Sequence, residues 1–174
     1  IFGKEGIRLT MKWLPVAVRD PRNVEAREKM SLAANLGGMA ISACGCSIGH
    51  SFSQTFGAVH HVPHGLGCAW ALPATIRYSA KYGKPEDILE VADALGLSDL
   101  EEKDVKKLAE KIADIIVELM KTLGIKSIQA SGYTLQDCLD VAKLFGHDAA
   151  FANSPGVPGM EEIEAFITDV FKSY

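Results

Sequence analysis

Residues 49–65 read GHSFSQTFGAVHHVPHG and place two histidines, His50 and His64, fourteen residues apart. The first part of this stretch has helical character, and the helix is predicted to end near Gly57. Pro63 is typical of the beginning of a helix, so His64 is expected in the first turn of a second helix. A helix, a tight loop and a second helix start can bring the two imidazoles to one point, where both can bind one metal ion.

Histidines have other uses, and a pair of them is more often packed or solvated than bound to metal. His60 and His61 lie between the first two, and they are predicted either to orient a substrate or to be packed in the loop or solvated. A metal cluster made by HHVPH, residues 60–64, is a weaker hypothesis, because three histidines on one loop lack a fourth ligand in the sequence. The residues around His50 and His64 carry the stronger argument.

A longer pattern surrounds these two histidines: H-x3-Q-x2-G-A-x4-P-H-G-x7-P, which begins at His50 and ends at Pro73. This pattern resembles the long signature of the iron-containing alcohol dehydrogenases. The resemblance extends upstream through AREKMSLAANLGGMA (residues 26–40) and downstream through ALPATIRY (residues 71–78). In that family, two of the four metal ligands are histidines at the places of His50 and His64. The resemblance therefore implies that these two side chains bind Fe²⁺ or Zn²⁺.

The resemblance also implies a fold and a domain organisation. Residues 1–174 are expected to form one all-α, multi-helix metal-binding domain, similar to the C-terminal domain of the family with its dehydroquinate synthase-like fold. The other two family ligands are an Asp and a His four residues later, on a helix that would precede Ile1, and no D-x3-H occurs in this sequence. The chain is therefore expected to be a fragment that lacks the N-terminal nucleotide-binding domain and is inactive alone.

Gln54 is the candidate substrate-facing residue. It follows His50 by four residues, so both side chains lie on the same face of a helix. The family usually has a histidine at this place, beside the substrate and the nicotinamide. A glutamine can donate and accept hydrogen bonds, but it cannot shuttle a proton near neutral pH. The usual proton path of the family is therefore in doubt here.

The activity implied by the resemblance is the interconversion of an alcohol and an aldehyde or ketone. A divalent metal bound to the substrate oxygen acts as a Lewis acid, and NAD or NADP, held mainly by the absent domain, exchanges the hydride. A small-molecule alcohol or aldehyde is the expected partner, and the full-length protein is expected to be a homo-oligomer. Two alternatives stay open: a zinc-dependent polyol dehydrogenase or lyase of the same fold, and a non-catalytic helical interaction module.

Composition excludes several other classes of function. The net charge of −4 and the pI near 5.7 argue against a nucleic-acid-binding surface. Apolar runs are shorter than the roughly 20 residues that cross a bilayer, so no membrane partner is expected. The long uncharged stretch at residues 31–76 is interpreted as buried protein. A cytoplasmic location is expected.

No catalytic or metal-binding role is predicted for the cysteines or for the adjacent residues His147 and Asp148. The four cysteines are interpreted as small buried thiols of a reducing compartment. Of these, Cys68 falls near an Asn-type position of the family pattern, and burial in the packing is favoured over a place in the pocket. His147 and Asp148 are interpreted as surface residues. The segment at residues 146–159 occupies the place of an N-P-R-like turn of the family, which Asn153, Ser154 and Pro155 only approximate.

Apolar residues recur with helical spacing along nearly the whole chain. A small-residue stripe from Ala26 to Cys44 predicts a helix that can approach a neighbour closely. Pro85 and Gly96 bracket a later helix, and Thr134 with Asp137 resembles a capping box. One predicted helix lies near the start of the chain. The others span about 22–44, Ser47–Phe56, His64 to about Lys81, Pro85 towards Gly96, about 102–122, Thr134 towards Gly146, and about 159–172. Pro73 is predicted to bend the helix that begins at His64 or to end its first half.

Overall fold

The computed structural model describes residues 1–97, 104–156 and 158–174. Within these ranges the chain forms helices and no strand, which confirms the all-α prediction. Short 3-10 helices connect α7 to α8. The α-helices of the described ranges are α1 (Phe2–Arg19), α2 (Val24–Cys44), α3 (Ile48–His60), α4 (His64–Tyr82), α5 (Pro85–Ala94), α6 (Val105–Thr122), α7 (Leu135–Asp140) and α8 (Met160–Lys172).

Helix α3 is longer than the sequence predicts. It continues past Phe56 and Gly57 to His60, and it ends where His61 adopts the left-handed conformation with φ 57°. Gly57 stays helical and has a different role. A Cβ at this position would lie 3.0 Å from the carbonyl oxygen of Val62, so glycine lets the loop fold back closely over the helix.

Helix α4 runs without interruption through Pro73 to Tyr82. The prediction that Pro73 ends the first half of this helix is wrong. Proline costs a helix one backbone hydrogen bond and crowds the carbonyl one turn earlier. Pro73 is fully buried, and its packing against the core offsets this cost.

Most of the later helix ends agree with the sequence. Asp104 caps α6 by accepting from the backbone N–H of Lys106 at 3.0 Å, whereas residues 102 and 103 of the predicted helix lie outside the described ranges. The Thr134–Asp137 capping box is confirmed, with the Asp137 carboxylate accepting from the Thr134 N–H at 2.7 Å. The helix after it is shorter than predicted, since α7 ends at Asp140 and a 3-10 helix follows.

Helix α2 is far more exposed than the sequence predicts. Of its small-residue stripe, Ala26 and Ala33 are buried, while Cys44 is exposed. The interpretation of residues 31–76 as buried protein is therefore wrong for the α2 part of that stretch, because α2 packs on α1 along one narrow face only. In the described part of the chain no single helix is long and apolar enough to cross a membrane, although α2 and α3 together pass that test as a pair bent by 109°.

The core has two parts that share α4. One part joins α3, α4, α7 and α8 around the fully buried Phe52, Phe56 and Trp70. The second part joins α4 to α5 and α6 around Ile88 and Ile112. Because α4 is in contact with both parts, its position and that of α3 beside it are fixed from several directions.

Tyr78 on α4 forms a hydrogen bond with the segment that precedes α8. Its hydroxyl donates a hydrogen bond of 2.7 Å to the carbonyl oxygen of Pro155, and its ring packs against Phe166. Burial raises the pKa of Tyr78 to about 12, and the nearby Tyr82 adds to the shift. The neutral phenol is therefore the form that the folded chain stabilises.

We predict that Tyr78→Phe lowers the free energy of unfolding by about 1 kcal/mol at neutral pH, the usual contribution of one hydrogen bond. The folded pKa of Tyr78 lies above the unfolded value near 10, so this contribution is complete below pH 10 and is lost as the pH rises towards 12. Urea unfolding of both proteins from neutral pH to about pH 11 measures the difference. A difference that stays constant over this range would contradict the assigned hydrogen bond.

Candidate metal centre

Helices α3 and α4 bring the two predicted histidines together. His50 lies in the first turn of α3, His64 is the first residue of α4, and their ring centroids are 4.5 Å apart at an interplanar angle of 71°. The loop at residues 61–63 returns the chain over α3, so that α4 begins beside Ser53 and not beyond the end of α3. The two imidazoles meet because α3 and α4 pack against each other along their sides, rather than because a helix end faces a helix start.

Cys68 is the third member of this cluster. Its Sγ lies 3.8 Å from Nδ1 of His50 and 3.5 Å from Nε2 of His64, and the candidate ligand atoms of the three residues all lie within 4.8 Å of one another. The prediction that Cys68 has a packing role is wrong, because this half-buried thiol faces both rings. Its spacing from His64, four residues on one helix, was visible in the sequence.

The remaining cysteines do not share one environment. Cys138 is buried in the core, Cys44 is exposed at the end of α2, and Cys46 is half-buried. All four cysteines are free thiols. The interpretation of all four as buried thiols is therefore correct for Cys138 alone.

Ser53 orients the His64 ring, a role that sequence reasoning missed. Its buried Oγ lies 2.6 Å from the carbonyl oxygen of His64 and 3.0 Å from Nδ1 of the same residue. A hydroxyl has one hydrogen, and the carbonyl oxygen can only accept it. Nδ1 must then carry the hydrogen of the neutral ring and donate it to Oγ, so the free lone pair is on Nε2, the atom that faces Cys68.

Burial and neighbouring groups shift the pKa of two members of the cluster, His50 and Cys68. Burial lowers the pKa of His50, the proximity of His64 lowers it further, and Asp148 acts in the opposite direction. Burial raises the pKa of the Cys68 thiol. A neutral imidazole has a lone pair to offer, so the lowered pKa of His50 maintains the form that can bind a metal ion near neutral pH.

Asp148 is a half-buried residue next to the cluster, and its interpretation as a surface residue is wrong. Its Oδ1 accepts hydrogen bonds from the hydroxyl of Ser51 at 2.7 Å and from the N–H of Ala150 at 2.9 Å. With the Gln54 amide turned so that its nitrogen faces the carboxylate, Gln54 donates to Oδ1 at 3.1 Å. The carboxylate of Asp148 therefore orients the Gln54 amide. The neighbouring His147 is exposed, as predicted.

Gln54 and His64 face solvent on the same side of the cluster. Both side chains are exposed, while Ser51 and Ser53 below them are buried. The site consequently has an open side and a closed, hydrogen-bonded base. The imidazole of His64 is therefore accessible on the side where the Gln54 amide lies.

His60 and His61 do not join the site. The His60 ring packs against Phe56 at 4.4 Å and against Tyr133 at 5.3 Å, and its Nε2 lies 3.3 Å from the carbonyl oxygen of Asp137. His61 is exposed at the end of α3. Of the two roles predicted for these residues, packing or solvation is confirmed, and the idea of a self-contained HHVPH cluster is wrong.

Comparisons with known proteins agree with the fold described above. Residues 2–171 match the Fe-containing alcohol dehydrogenase family, C-terminal. The chain belongs to this family. The expected resemblance and the expected fold class are thereby confirmed.

Individual relatives show the same relationship. The chain is 30% identical over 188 residues to the bifunctional aldehyde-alcohol dehydrogenase of Escherichia coli (strain K12), with 96% of the chain and 21% of that protein aligned. It is 28% identical to 1,3-propanediol dehydrogenase of Klebsiella pneumoniae over 96% of the chain and 43% of that protein. Among solved structures, an alcohol dehydrogenase from Oenococcus oeni superposes with a TM-score of 0.87 and 26% identity, over 96% of this chain and 43% of that one. The chain thus spans less than half the length of these relatives.

We predict that Gly67→Ala disturbs the centre, because at Gly67 α4 closely approaches α3 beside the cluster. A Cβ at this position would lie 3.1 Å from the backbone Cα of Ser53 and 2.7 Å from its Oγ. The free energy of unfolding should fall by about 1–3 kcal/mol, as for other overpacked sites. Urea unfolding measures the change.

Gly65→Ala is the matched control for this prediction. Gly65 lies on the same helix, with no atom within 4 Å of an added Cβ. There the higher helix propensity of alanine should leave stability unchanged or raise it by up to about 1 kcal/mol. Equal effects of the two variants would contradict the close approach of the helices at Gly67.

Proposed function

We propose that this chain is the helical metal- and substrate-binding part of a metal-dependent oxidoreductase that interconverts an alcohol and an aldehyde or ketone with NAD or NADP. In this proposal His50 and His64 bind Fe²⁺ or Zn²⁺. The observation that carries it is the convergence of two imidazoles, one of them exposed, in a chain of the Fe-containing alcohol dehydrogenase family.

The donors present fit a divalent transition metal. Imidazole nitrogen suits iron and zinc, and the Nε2 lone pair of His64 is directed by its hydrogen bond to Ser53. When bound, the metal supplies Lewis-acid polarisation of the substrate oxygen. The chain itself contributes position: His50 and His64 hold the ion at the junction of α3 and α4, and the open side leaves room for a small substrate.

Gln54 acts in this proposal as the substrate-orienting residue. Asp148 occupies its amide nitrogen, so the carbonyl oxygen remains to accept a hydrogen bond from a substrate hydroxyl. An amide cannot take up the hydroxyl proton near neutral pH. Gln54 therefore positions the substrate, and the proton leaves by another route.

The nicotinamide cofactor is proposed to bind mainly to a domain outside this chain. The support is that the chain aligns with 43% of 1,3-propanediol dehydrogenase and of the Oenococcus oeni enzyme. The names of the relatives make small alcohols and aldehydes the proposed substrates. A homo-oligomer of the complete protein and a cytoplasmic location belong to the same proposal.

Metal retention tests the ligand assignment. We expect His50→Ala and His64→Ala each to weaken Zn²⁺ and Fe²⁺ binding to the chain by at least about 100-fold, because each removes one of few donors. Anaerobic competition with a chromophoric chelator measures both affinities. His147→Ala is the matched control, since His147 is exposed and lies outside the cluster. Binding that survives both cluster variants would overturn the assignment, and unchanged circular dichroism would show that the variants fold.

Turnover tests the role of Gln54 in the complete protein. If Gln54 orients the substrate through one hydrogen bond, Gln54→Ala should raise the barrier by about 1–3 kcal/mol while the metal stays bound. Gln54→His should keep activity and add an ionisation near neutral pH to the rate profile. Unchanged rates and pH dependence in both variants would show that position 54 does not face the reacting atoms. Absence of any alcohol oxidation or carbonyl reduction by the complete protein would favour the non-catalytic module.

A further inference from the structure

We propose that Cys68 is a third metal ligand, which completes a two-histidine, one-cysteine site within this chain. The inference rests on the proposed function in one respect, since it takes His50 and His64 as the other two ligands. The inference adds a thiolate ligand that the family resemblance does not supply. With this ligand the site is expected to prefer zinc over iron.

Distances between the donor atoms carry the proposal. A tetrahedral zinc ion with Zn–S bonds of about 2.3 Å and Zn–N bonds of about 2.1 Å holds its sulfur and nitrogen ligands about 3.6 Å apart. Cys68 Sγ lies 3.8 Å from Nδ1 of His50 and 3.5 Å from Nε2 of His64. The three side chains are thus spaced as ligands of one small ion before any rearrangement.

The arrangement of the helices explains why these distances are maintained. His64 and Cys68 are one turn apart on α4, so a single rigid helix fixes their separation. His50 comes from α3, and the close approach of Gly67 to Ser53 holds α3 against the same face of α4. Three ligands on two packed helices give a site that the fold builds in advance.

Ser53 aligns the donors within the site. By accepting the Nδ1 hydrogen of His64, it leaves the Nε2 lone pair on the side of the ring where Cys68 lies. Such a partner for the second ring nitrogen is a general feature of metal-bound histidines. On metal binding the Cys68 thiol gives its proton to solvent, and the thiolate sulfur forms the bond to the ion.

The chemistry of the donors defines the kind of ion. Two imidazoles and a thiolate form a softer set than histidine and carboxylate ligands, and thiolate selects zinc over iron among divalent ions of this size. Within this chain, His50, His64 and Cys68 would supply three ligands, the number of protein ligands found in catalytic zinc sites. The side chains of Gln54 and His64 beside the cluster are exposed.

Cobalt spectroscopy of the chain tests the proposal directly, because Co²⁺ occupies zinc sites and a cobalt–thiolate bond absorbs in the near ultraviolet. Titration with Co²⁺ should produce this charge-transfer band together with visible bands of tetrahedral intensity. Cys68→Ser and Cys68→Ala should both lose the near-ultraviolet band. Both should also weaken Zn²⁺ binding by at least about 100-fold, more than the usual loss of an outer-shell partner.

Selectivity provides the second measurement. Removing the thiolate should weaken Zn²⁺ binding more than Fe²⁺ binding, so the ratio of the two affinities should fall in Cys68→Ser. Anaerobic chelator competition with each ion yields that ratio. An unchanged ratio would contradict the assignment of Cys68 as a ligand.

Cys46→Ser is the matched control, since Cys46 is a half-buried thiol close enough to Cys68 to influence it electrostatically. Its charge-transfer band and its affinities should equal those of the unmodified chain. A band that survives in Cys68→Ser and disappears in Cys46→Ser would overturn the proposal. Co²⁺ binding that requires His50 and His64 but produces no thiolate band would overturn it as well, while leaving the proposed function intact. Failure of Co²⁺ to bind through the histidines would reject both.

Discussion

The close contact between α3 and α4 is the constraint on which the rest of the site depends. Gly67 lies against Ser53, and Gly49 lies against Thr75, where an added Cβ would overlap the threonine side chain. Glycine at both places lets the backbones approach more closely than any larger residue would permit. This approach brings His50 beside His64 and gives Ser53 access to the ring of His64, so one packing contact sets both the position and the tautomer of the candidate ligands.

The polar base of the centre is organised in the same way. Ser51, Ser53 and Gln54 are consecutive or nearly consecutive on α3, and each has a hydrogen-bond partner from a distant part of the chain. Buried hydroxyl groups are costly without partners, so the backbone of His64 and the carboxylate of Asp148 stabilise the residues that surround the histidines. A small number of polar contacts therefore connects α3 to α4 on one side and to the 3-10 helices before α8 on the other.

Exposure illustrates the limit of reasoning from composition. Residues 31–76 are uncharged, yet the α2 part of this stretch is largely exposed, with Met39 and Ile41 each about half accessible to solvent. Apolar composition indicates which residues gain by burial, but the neighbours of a helix decide which of them are buried. Cys44 gives a second example: it continues the small-residue stripe of α2, and its side chain is nevertheless exposed to solvent.

The sequence by itself determined the all-α fold class, the approximate places of the helices and several of their ends, and it singled out the two histidines. Apolar spacing, the Thr134–Asp137 capping box and Pro85 are local signals, and each fixes structure within a few residues of itself. Only the tertiary structure decided that Cys68, Ser53 and Asp148 surround the histidines. Asp148 lies 97 residues from Ser51 along the chain, and Cys68 reaches His50 because α3 and α4 pack against each other. The packing of one helix on another depends on the side chains along the whole contacting face of each helix. No short stretch of sequence specifies these faces alone.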